Sequence, residues 1–131
     1  MVNLTGQQLA ELRRKLEHRR DELQEEIRQE LIRSDDEHYI DLAGRVHDVG
    51  EQSVADMLSD FQIAIIDRQL NELREVEGAL QRMAMGTYGV CFECHGDISY
   101  ERLLAQPTAT RDVVCQEMYE KTHANEGGPT L

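Results

Sequence analysis

The sequence is poor in the residues that build β-sheets and disulfide-bonded folds. Among its 131 residues there is no Trp, there are only 2 Pro and 3 Cys, and aromatic residues make up 5% of the chain. Strands favour β-branched and aromatic side chains, so this composition argues against an all-β domain. Three Cys cannot all pair within one chain, which indicates a reducing compartment, and we expect a cytoplasmic protein.

Basic residues and long apolar runs are also scarce. The chain has 14 basic against 26 acidic residues, a formal net charge of −12. Such a chain repels phosphate backbones, so we expect no direct sequence-specific binding of nucleic acid. No apolar run approaches the roughly 20 residues that span a bilayer. The first residues lack a basic segment followed by an apolar core, so we expect no secretory signal either.

The abundant pattern is that of long amphipathic helices. Apolar residues recur at helical spacing in two stretches, one formed by Leu9, Leu12, Leu16, Leu23, Ile27 and Leu31 and the other by Val54, Leu58, Phe61, Ile65, Ile66, Leu70, Leu73, Val76, Leu80 and Met83. Thr5 and Gln8 have the spacing of a capping box for the first helix. Gly86 is a stop signal for the second helix, which we expect to run over residues 54–85 without a break. Each stripe is narrow, so each helix needs a partner, and the other helix is the simplest one.

The predicted fold is therefore mainly α. We expect a long antiparallel coiled-coil hairpin over residues 1–85, a small zinc-finger-like module with a short C-terminal helix over 86–124, and a flexible tail over 125–131. The hairpin tip, about residues 37–52, contains Gly44, Gly50 and several acids without sustained periodicity. This pattern predicts an exposed turn at the end of the rod, distant from any core. Exposed tips on rigid scaffolds often carry function, although a solvated acidic loop is the simpler interpretation.

The second half of the chain contains a candidate metal site. Two pairs of residues have the spacing of a four-ligand zinc site in which one Cys is replaced: Cys91, Cys94, Asp112 and Cys115. His95 and His123 are rival fourth ligands. The alternative is a module that holds by packing alone, with its Cys as small buried residues or free thiols. A thioredoxin-like role is disfavoured because the chain lacks a βαβ context around the first two Cys.

Several motifs together resemble one known family. An acidic-tipped helical hairpin is followed by Gly-Thr-Tyr-Gly-Val-Cys-Phe-Glu-Cys at residues 86–94, by Arg-Leu-Leu-Ala-Gln-Pro-Thr-Ala-Thr at 102–110, and by Cys115 with a short helix. This order resembles the DksA/TraR family of bacterial RNA polymerase regulators. The resemblance implies a protein that binds RNA polymerase directly and inserts its coiled-coil tip into the secondary channel. There it would modulate transcription initiation without reading DNA.

The resemblance also implies roles for individual residues. The acidic tip motif of the family falls on three positions that would contact the polymerase: Asp48, Glu51 and Ser53. Arg68 matches a basic position that many members use to bind guanosine tetraphosphate. Glu75 and Gln116, however, stand where better-studied members carry Lys. An anion and a neutral amide should bind a highly charged anion poorly, so we expect little or no dependence on this nucleotide.

Two other classes of function are open at the level of sequence. One is a structural adaptor, a coiled coil with a zinc clasp that docks a different partner. The other is a small metalloenzyme, which needs an open coordination position, a general acid or base and a concave pocket. A thin rod with a small module offers little concave volume, so we expect no enzymatic activity.

Overall fold

The computed structural model describes residues 4–50 and 52–123, and its architecture is helical. Within these two ranges six α-helices and one 3-10 turn follow one another: α1 (Gly6–Arg33), α2 (Glu37–Ala43), α3 (Val54–Ser59), the 3-10 turn (Ala64–Ile66), α4 (Asp67–Met85), α5 (Tyr100–Ala105) and α6 (Val113–Thr122). The described residues form no strand beyond one isolated bridge between Val90 and Asp97. None of these helices is both long and apolar enough to cross a membrane. The predicted tail over 125–131 lies outside the described residues.

The first long helix begins where the sequence predicts. The Thr5 hydroxyl accepts a hydrogen bond from the Gln8 backbone N–H, and the Gln8 side chain accepts one from the Thr5 N–H, each at 3.0 Å. This reciprocal capping box satisfies two N–H groups that the first turn leaves without helical partners. The buried face of α1 consists of residues from the predicted stripe: Leu12, Leu16, Leu23, Ile27 and Leu31.

The two long helices, α1 and α4, pair in antiparallel orientation. Arg19 on α1 donates two hydrogen bonds to Glu72 on α4, from Nε at 2.6 Å and from Nη2 at 2.8 Å. Lys15 Nζ donates to the carbonyl of Leu104 in α5, at 3.2 Å, so the first half of α1 lies beside the end of the chain that follows α4. Gly86 ends α4 in the left-handed conformation with φ 78, which glycine adopts without steric cost. The predicted mainly α fold, with its hairpin and C-terminal metal-binding module, is confirmed.

The second helix of the hairpin is interrupted, and the prediction of one helix over residues 54–85 is wrong. The helix α3 ends at Ser59, and the chain reverses before the 3-10 turn leads into α4. Gln62 lies in this reversal with φ 51. Ile63 and Ile66 are 2% and 0% exposed, and their spacing of three residues suits a 3-10 turn that packs against α1. The apolar period permits a continuous helix but does not require one.

The predicted exposed turn also contains structure. Residues 37–43 form α2, which Asp36 caps by accepting a hydrogen bond from the His38 N–H at 2.8 Å. Leu42, Ala43 and Val46 are at most 3% exposed and belong to the same core as α1 and α4. The expectation that this region lies distant from any core is therefore wrong. The physical reason is a short apolar stripe at helical spacing, which can bury itself only by packing back onto α1.

Residues 34–50 and 52–66, which we call the fold-back segment, consequently run alongside the hairpin. His47 Nε2 lies 3.1 Å from Glu25 Oε1, about two helical turns before the end of α1. Ser53 Oγ donates to Glu77 Oε1 at 2.8 Å, near the middle of α4. The described residues between these contacts thus lie on the flank of the hairpin. The far end of the rod is made instead by the two chain reversals, at residues 34–36 and 60–63.

The C-terminal module has a small core of its own that continues into the hairpin. Tyr88, Ile98 and Leu103 are at most 2% exposed. The buried Tyr88 hydroxyl donates to the carbonyl of Pro107 at 2.8 Å, which satisfies its polar end. The helix α5 packs against α1. These contacts fix the module at the end of α4 and set the position of its cysteines.

Candidate metal centre and partner-binding surface

A tight backbone turn presents the first two candidate ligands. Cys91 and Gly96 are joined by a hydrogen bond from the Cys91 N–H to the Gly96 carbonyl at 2.8 Å. The His95 N–H donates to the Cys91 carbonyl at 3.0 Å, and the Gly96 N–H donates to Cys94 Sγ at 3.4 Å. The turn therefore aims both sulfur atoms to one side. Cys91 is buried, whereas Cys94 is exposed.

The beginning of α6 supplies the other pair of ligands. Asp112 caps this helix, because its Oδ1 accepts a hydrogen bond from the Cys115 N–H at 2.7 Å. The other carboxylate oxygen, Oδ2, accepts a hydrogen bond from Cys94 Sγ at 3.1 Å. One carboxylate thus holds the helix and faces the thiols at the same time. The cap also orients Cys115, one turn into α6.

The four donor atoms are close enough to share one ion. The ligand atoms of the cluster all lie within 4.8 Å of one another: Cys91, Cys94, Asp112 and Cys115. Tetrahedral zinc with Zn–S bonds of about 2.3 Å separates its sulfur ligands by roughly 3.8 Å, which this spacing accommodates. Three thiolates and a carboxylate are all accepted zinc donors. The cluster is consistent with a zinc ion, and four protein ligands would leave no open position, as in structural rather than catalytic sites.

The surroundings shift the pKa values of these groups in different directions. Burial raises the pKa of the Cys115 thiol to about 12. Burial also acts to raise the pKa of Cys91, but backbone N–H groups, chiefly that of Cys94, outweigh it and lower this pKa to about 7. Hydrogen bonds from the Cys115 N–H and the Cys94 thiol lower the pKa of Asp112. The site therefore favours negative charge at Cys91 and Asp112, and a cation bound there must displace protons from the other thiols.

The two histidines proposed as rival ligands lie outside this cluster. His95 is exposed and has φ 62 in the turn. His123 stacks on the Tyr119 ring with 3.9 Å between ring centroids, and its Nδ1 lies 2.8 Å from the Tyr119 carbonyl oxygen. Among the residues that the structure describes, the group of Asp and Cys ligands alone meets the geometry of a metal site.

Two of the three predicted partner-binding residues, Asp48 and Ser53, lie on the flank of the hairpin. Asp48 is exposed, and its side chain lies in the stretch between the His47 and Ser53 contacts. Ser53 is half-buried: its hydroxyl accepts a hydrogen bond from the Asp56 N–H and donates one to Glu77. The Ser53 hydroxyl thus has a structural role in capping α3. Glu51 lies outside the described residues.

The positions matched to nucleotide binding are divided between two places. Glu75 and Gln116 line one groove of about 420 Å³ between α4 and the C-terminal module. Arg68 is exposed and lies about two helical turns before Glu75, outside this groove. The same groove is lined by three arginines, Arg82, Arg102 and Arg111.

Those arginines already have partners. Arg102 Nε donates to the Arg111 carbonyl at 2.7 Å, and Arg111 Nε donates to Glu93 at 3.0 Å. The Arg82 guanidinium lies 5.5 Å from the centre of the Phe92 ring. The three arginines of this groove therefore already interact with groups of the protein itself.

Sequence reasoning missed the acid that holds the fold-back segment. Glu77 accepts hydrogen bonds from the Ser53 hydroxyl at 2.8 Å and from the Val54 backbone N–H at 3.1 Å. A Glu on an amphipathic helix gives no signal of its own in the sequence. A signal was available for α2, because Tyr39, Leu42 and Val46 are spaced by three and four residues.

Comparisons with known proteins agree with this architecture. Residues 86–121 match the prokaryotic dksA/traR C4-type zinc finger. In this chain the candidate ligand cluster consists of Asp112 and three Cys. General stress protein 16O of Bacillus subtilis is 48% identical over 63 residues, which cover 48% of this chain and 37% of that protein.

Two further relatives match almost the whole chain. The RNA polymerase-binding transcription factor DksA of Caulobacter vibrioides is 29% identical over 120 residues, which cover 90% of this chain and 80% of that protein. The solved structure of transcription factor DksA2 from Pseudomonas aeruginosa is 31% identical, covers 91% of this chain and 88% of that one, and superposes with a TM-score of 0.61. These relatives carry the names of transcription factors rather than of enzymes. By sequence, by fold and by its metal cluster, this chain belongs to the DksA/TraR family.

Proposed function

We propose that this protein is a transcription regulator that binds RNA polymerase directly and inserts its coiled-coil tip region, which contains Asp48, into the secondary channel. The observation that carries this proposal is the match to DksA2 over 91% of the chain, combined with an exposed Asp48 at the position of the family's acidic motif. Such a function places the protein in the cytoplasm. The Caulobacter relative is named an RNA polymerase-binding transcription factor, which supports the same partner here.

The charge of the chain supports binding to the enzyme rather than to DNA. A net charge of −12 repels phosphate backbones. The same charge is attracted to a basic, magnesium-bearing channel, and this attraction would steer the approach of the two proteins. Binding should accordingly weaken as the salt concentration rises.

The test is a binding and transcription assay with core RNA polymerase and Asp48→Asn. This change removes one charge and keeps the shape of the side chain. We expect reduced regulation in transcription in vitro, whereas Asp97→Asn, which removes the same charge from the distant C-terminal module, should behave like wild type. If Asp48→Asn regulates transcription as well as wild type, the proposed role of this residue is wrong. Polymerase binding that survives deletion of residues 37–52 would favour the adaptor function instead.

We further propose that guanosine tetraphosphate has little effect on this protein. Glu75 places a negative charge in the groove it shares with Gln116, and the arginines of that groove have internal partners. Glu75→Lys should therefore increase the nucleotide's effect on transcription in the presence of the protein, and Glu75→Gln should increase it less. A strong effect with the wild-type protein would contradict this proposal.

A further inference from the structure

The two chain reversals of the fold-back segment contain no residue that demands a break. Residues 34–36 are Ser-Asp-Asp and residues 60–63 are Asp-Phe-Gln-Ile, without Gly or Pro. Asp35 and Gln62 nevertheless adopt φ values of 60 and 51, in the left-handed region that residues other than glycine rarely occupy. The first reversal has local support, because Asp36 caps α2 by accepting the His38 N–H, whereas residues 60–63 offer no Gly, Pro or cap and their reversal depends on contacts elsewhere.

The register of the hairpin is compatible with a second, straight arrangement. Arg19 and Glu72 pair across the hairpin. Arg19 precedes Arg45 by about as many residues as Glu72 follows Val46, so the midpoint between the paired residues falls at 45–46. Two uninterrupted helices in this register would meet in a turn at those residues, beside Gly44. The apolar pattern also continues in both helices, because Leu42 follows Leu31 by about three helical turns and the second stripe begins at residue 54.

Polar contacts hold the arrangement that the structure shows. The most specific is the Glu77 latch, which we define as the Glu77 carboxylate with its hydrogen bonds from the Ser53 hydroxyl and the Val54 N–H. It anchors the first turn of α3 to α4. The second contact joins His47 to Glu25. Both contacts would be lost if the fold-back segment straightened.

The folded-back arrangement leaves apolar side chains in solvent near the reversals. Ile40 is 43% exposed, Phe61 38% and Ile65 45%. Phe61 and Ile65 belong to the continuous helical stripe, and their exposure is a cost of the break. Compared with two continuous helices, the folded-back form loses helical hydrogen bonds at the breaks and the burial of these apolar side chains. It gains the core contacts of α2 and α3.

We propose that the fold-back segment is a hinged switch with two forms. In the closed form, which the structure shows, the segment lies along the hairpin and Asp48 is on the flank. In the open form, α1 and α4 extend to a turn near residues 45–46 and Asp48 stands at the end of the rod. The Glu77 latch favours the closed form. The hinge is a property of this chain alone, while its regulatory meaning, exposure of the acidic end to the polymerase, rests on the proposed function.

The two forms differ in one distance that can be measured directly. Gln52 and Gln81 line the same groove in the closed form. In the open form, residue 52 lies at the end of the rod and is separated from residue 81 by roughly 40 Å of helix, at about 1.5 Å per residue. Spin labels carried by non-canonical amino acids at these two positions avoid the thiols of the zinc site. Double electron–electron resonance on the full-length, zinc-loaded protein then reports the populations of the short and long distances.

Two variants should move the populations in opposite directions. Glu77→Ala removes the latch and should raise the ratio of open to closed form by about tenfold or more, as expected for the loss of two hydrogen bonds to a carboxylate. Gln62→Gly should lower that ratio, because glycine tolerates the closed conformation at this residue and weakens a continuous helix. Glu75→Gln, two residues from the latch on the same helix, is the control and should leave the ratio unchanged. Far-UV circular dichroism checks that each variant is folded.

The outcomes separate the hinge from the proposed function. A single short distance in every variant, with or without core RNA polymerase, would overturn the hinge. Equal shifts in Glu77→Ala and the control would overturn the role of the latch. A long distance that gains population when polymerase is added supports both the hinge and its regulatory meaning. If both distances appear and respond to the variants while polymerase does not bind, the hinge stands and the proposed function fails.

Discussion

The Asp112 carboxylate caps α6 and also faces the thiols of the candidate metal centre, and substitutions at this position can separate these two contacts. Its Oδ1 caps α6 through the Cys115 N–H at 2.7 Å, and its Oδ2 lies 3.1 Å from Cys94 Sγ among the donor atoms. Asn caps a helix about as well as Asp but lacks the carboxylate charge. Asp112→Asn should therefore remove most of the ligand contribution and keep the cap.

The expected loss of zinc affinity follows from the ligand count. Structural zinc sites bind with roughly 10–16 kcal/mol of apparent free energy. An equal share for each of the four donors is about 2.5–4 kcal/mol, so losing one donor should weaken zinc binding roughly 10²–10³-fold. Asp112→Ala loses the cap as well, which costs about 1 kcal/mol more in the stability of α6. Asp112→Cys restores a fourth thiolate and should bind zinc at least as tightly as wild type.

Competition with a chromogenic chelator at fixed pH measures these affinities, and native mass spectrometry gives the zinc stoichiometry. Asp97→Asn is the matched control, since it removes a nearby carboxylate that lies outside the donor cluster. Wild-type affinity in Asp112→Asn would refute the assignment of the carboxylate as a ligand and leave it the role of a helix cap. A large loss of affinity in the control would show that general charge, and not coordination, sets the affinity.

Three predictions concern stability and can be tested by unfolding experiments. Leu73→Ala, at a residue that is 0% exposed, should lower the free energy of unfolding by about 2–5 kcal/mol in urea, while the exposed neighbour Arg74→Ala should change it by about 0.5 kcal/mol or less. Hydrogen bonds from Arg19 lower the pKa of Glu72, so this pair stabilises the fold above the unfolded-state pKa of about 4.3 and loses its effect as the pH falls through the lowered folded value. Because both side chains are partly exposed, Glu72→Gln should cost at most about 1 kcal/mol at neutral pH and less in acid; an unchanged difference down to about pH 3 would contradict the linkage. Removal of zinc by a chelator should disorder the C-terminal module and leave most of the helical circular dichroism intact, whereas loss of the whole signal would show that the hairpin depends on the metal.

The features that the sequence predicted correctly depend on neighbours along the chain. The Thr5 capping box and the Gly86 helix stop are formed within one turn of helix, where local hydrogen bonds decide the structure. The ligand pairs at Cys91 and at Asp112 are likewise set by spacings of three residues, which a turn and a helix N-terminus convert into fixed geometry. These positions could be found from the sequence because each is determined by a few adjacent residues.

The features that were mispredicted depend on the relative stability of alternative contacts between distant parts of the chain. The apolar stripe from residue 54 to 83 is satisfied by a continuous helix and equally by two helices that fold on each other, and the period alone does not distinguish them. The contact of Glu77 with Ser53 and the burial of Leu42 against α1 decide in favour of the folded-back form.

The sequence by itself therefore determined α1 with its cap, the end of α4 and the grouping of four candidate metal ligands, since those arise from local hydrogen bonding and residue spacing. Only the tertiary structure decided where Asp48 lies and that His123 turns to Tyr119 instead of the metal cluster. Those outcomes depend on contacts between residues that are far apart in the chain, because several apolar faces and carboxylates could pair in more than one way.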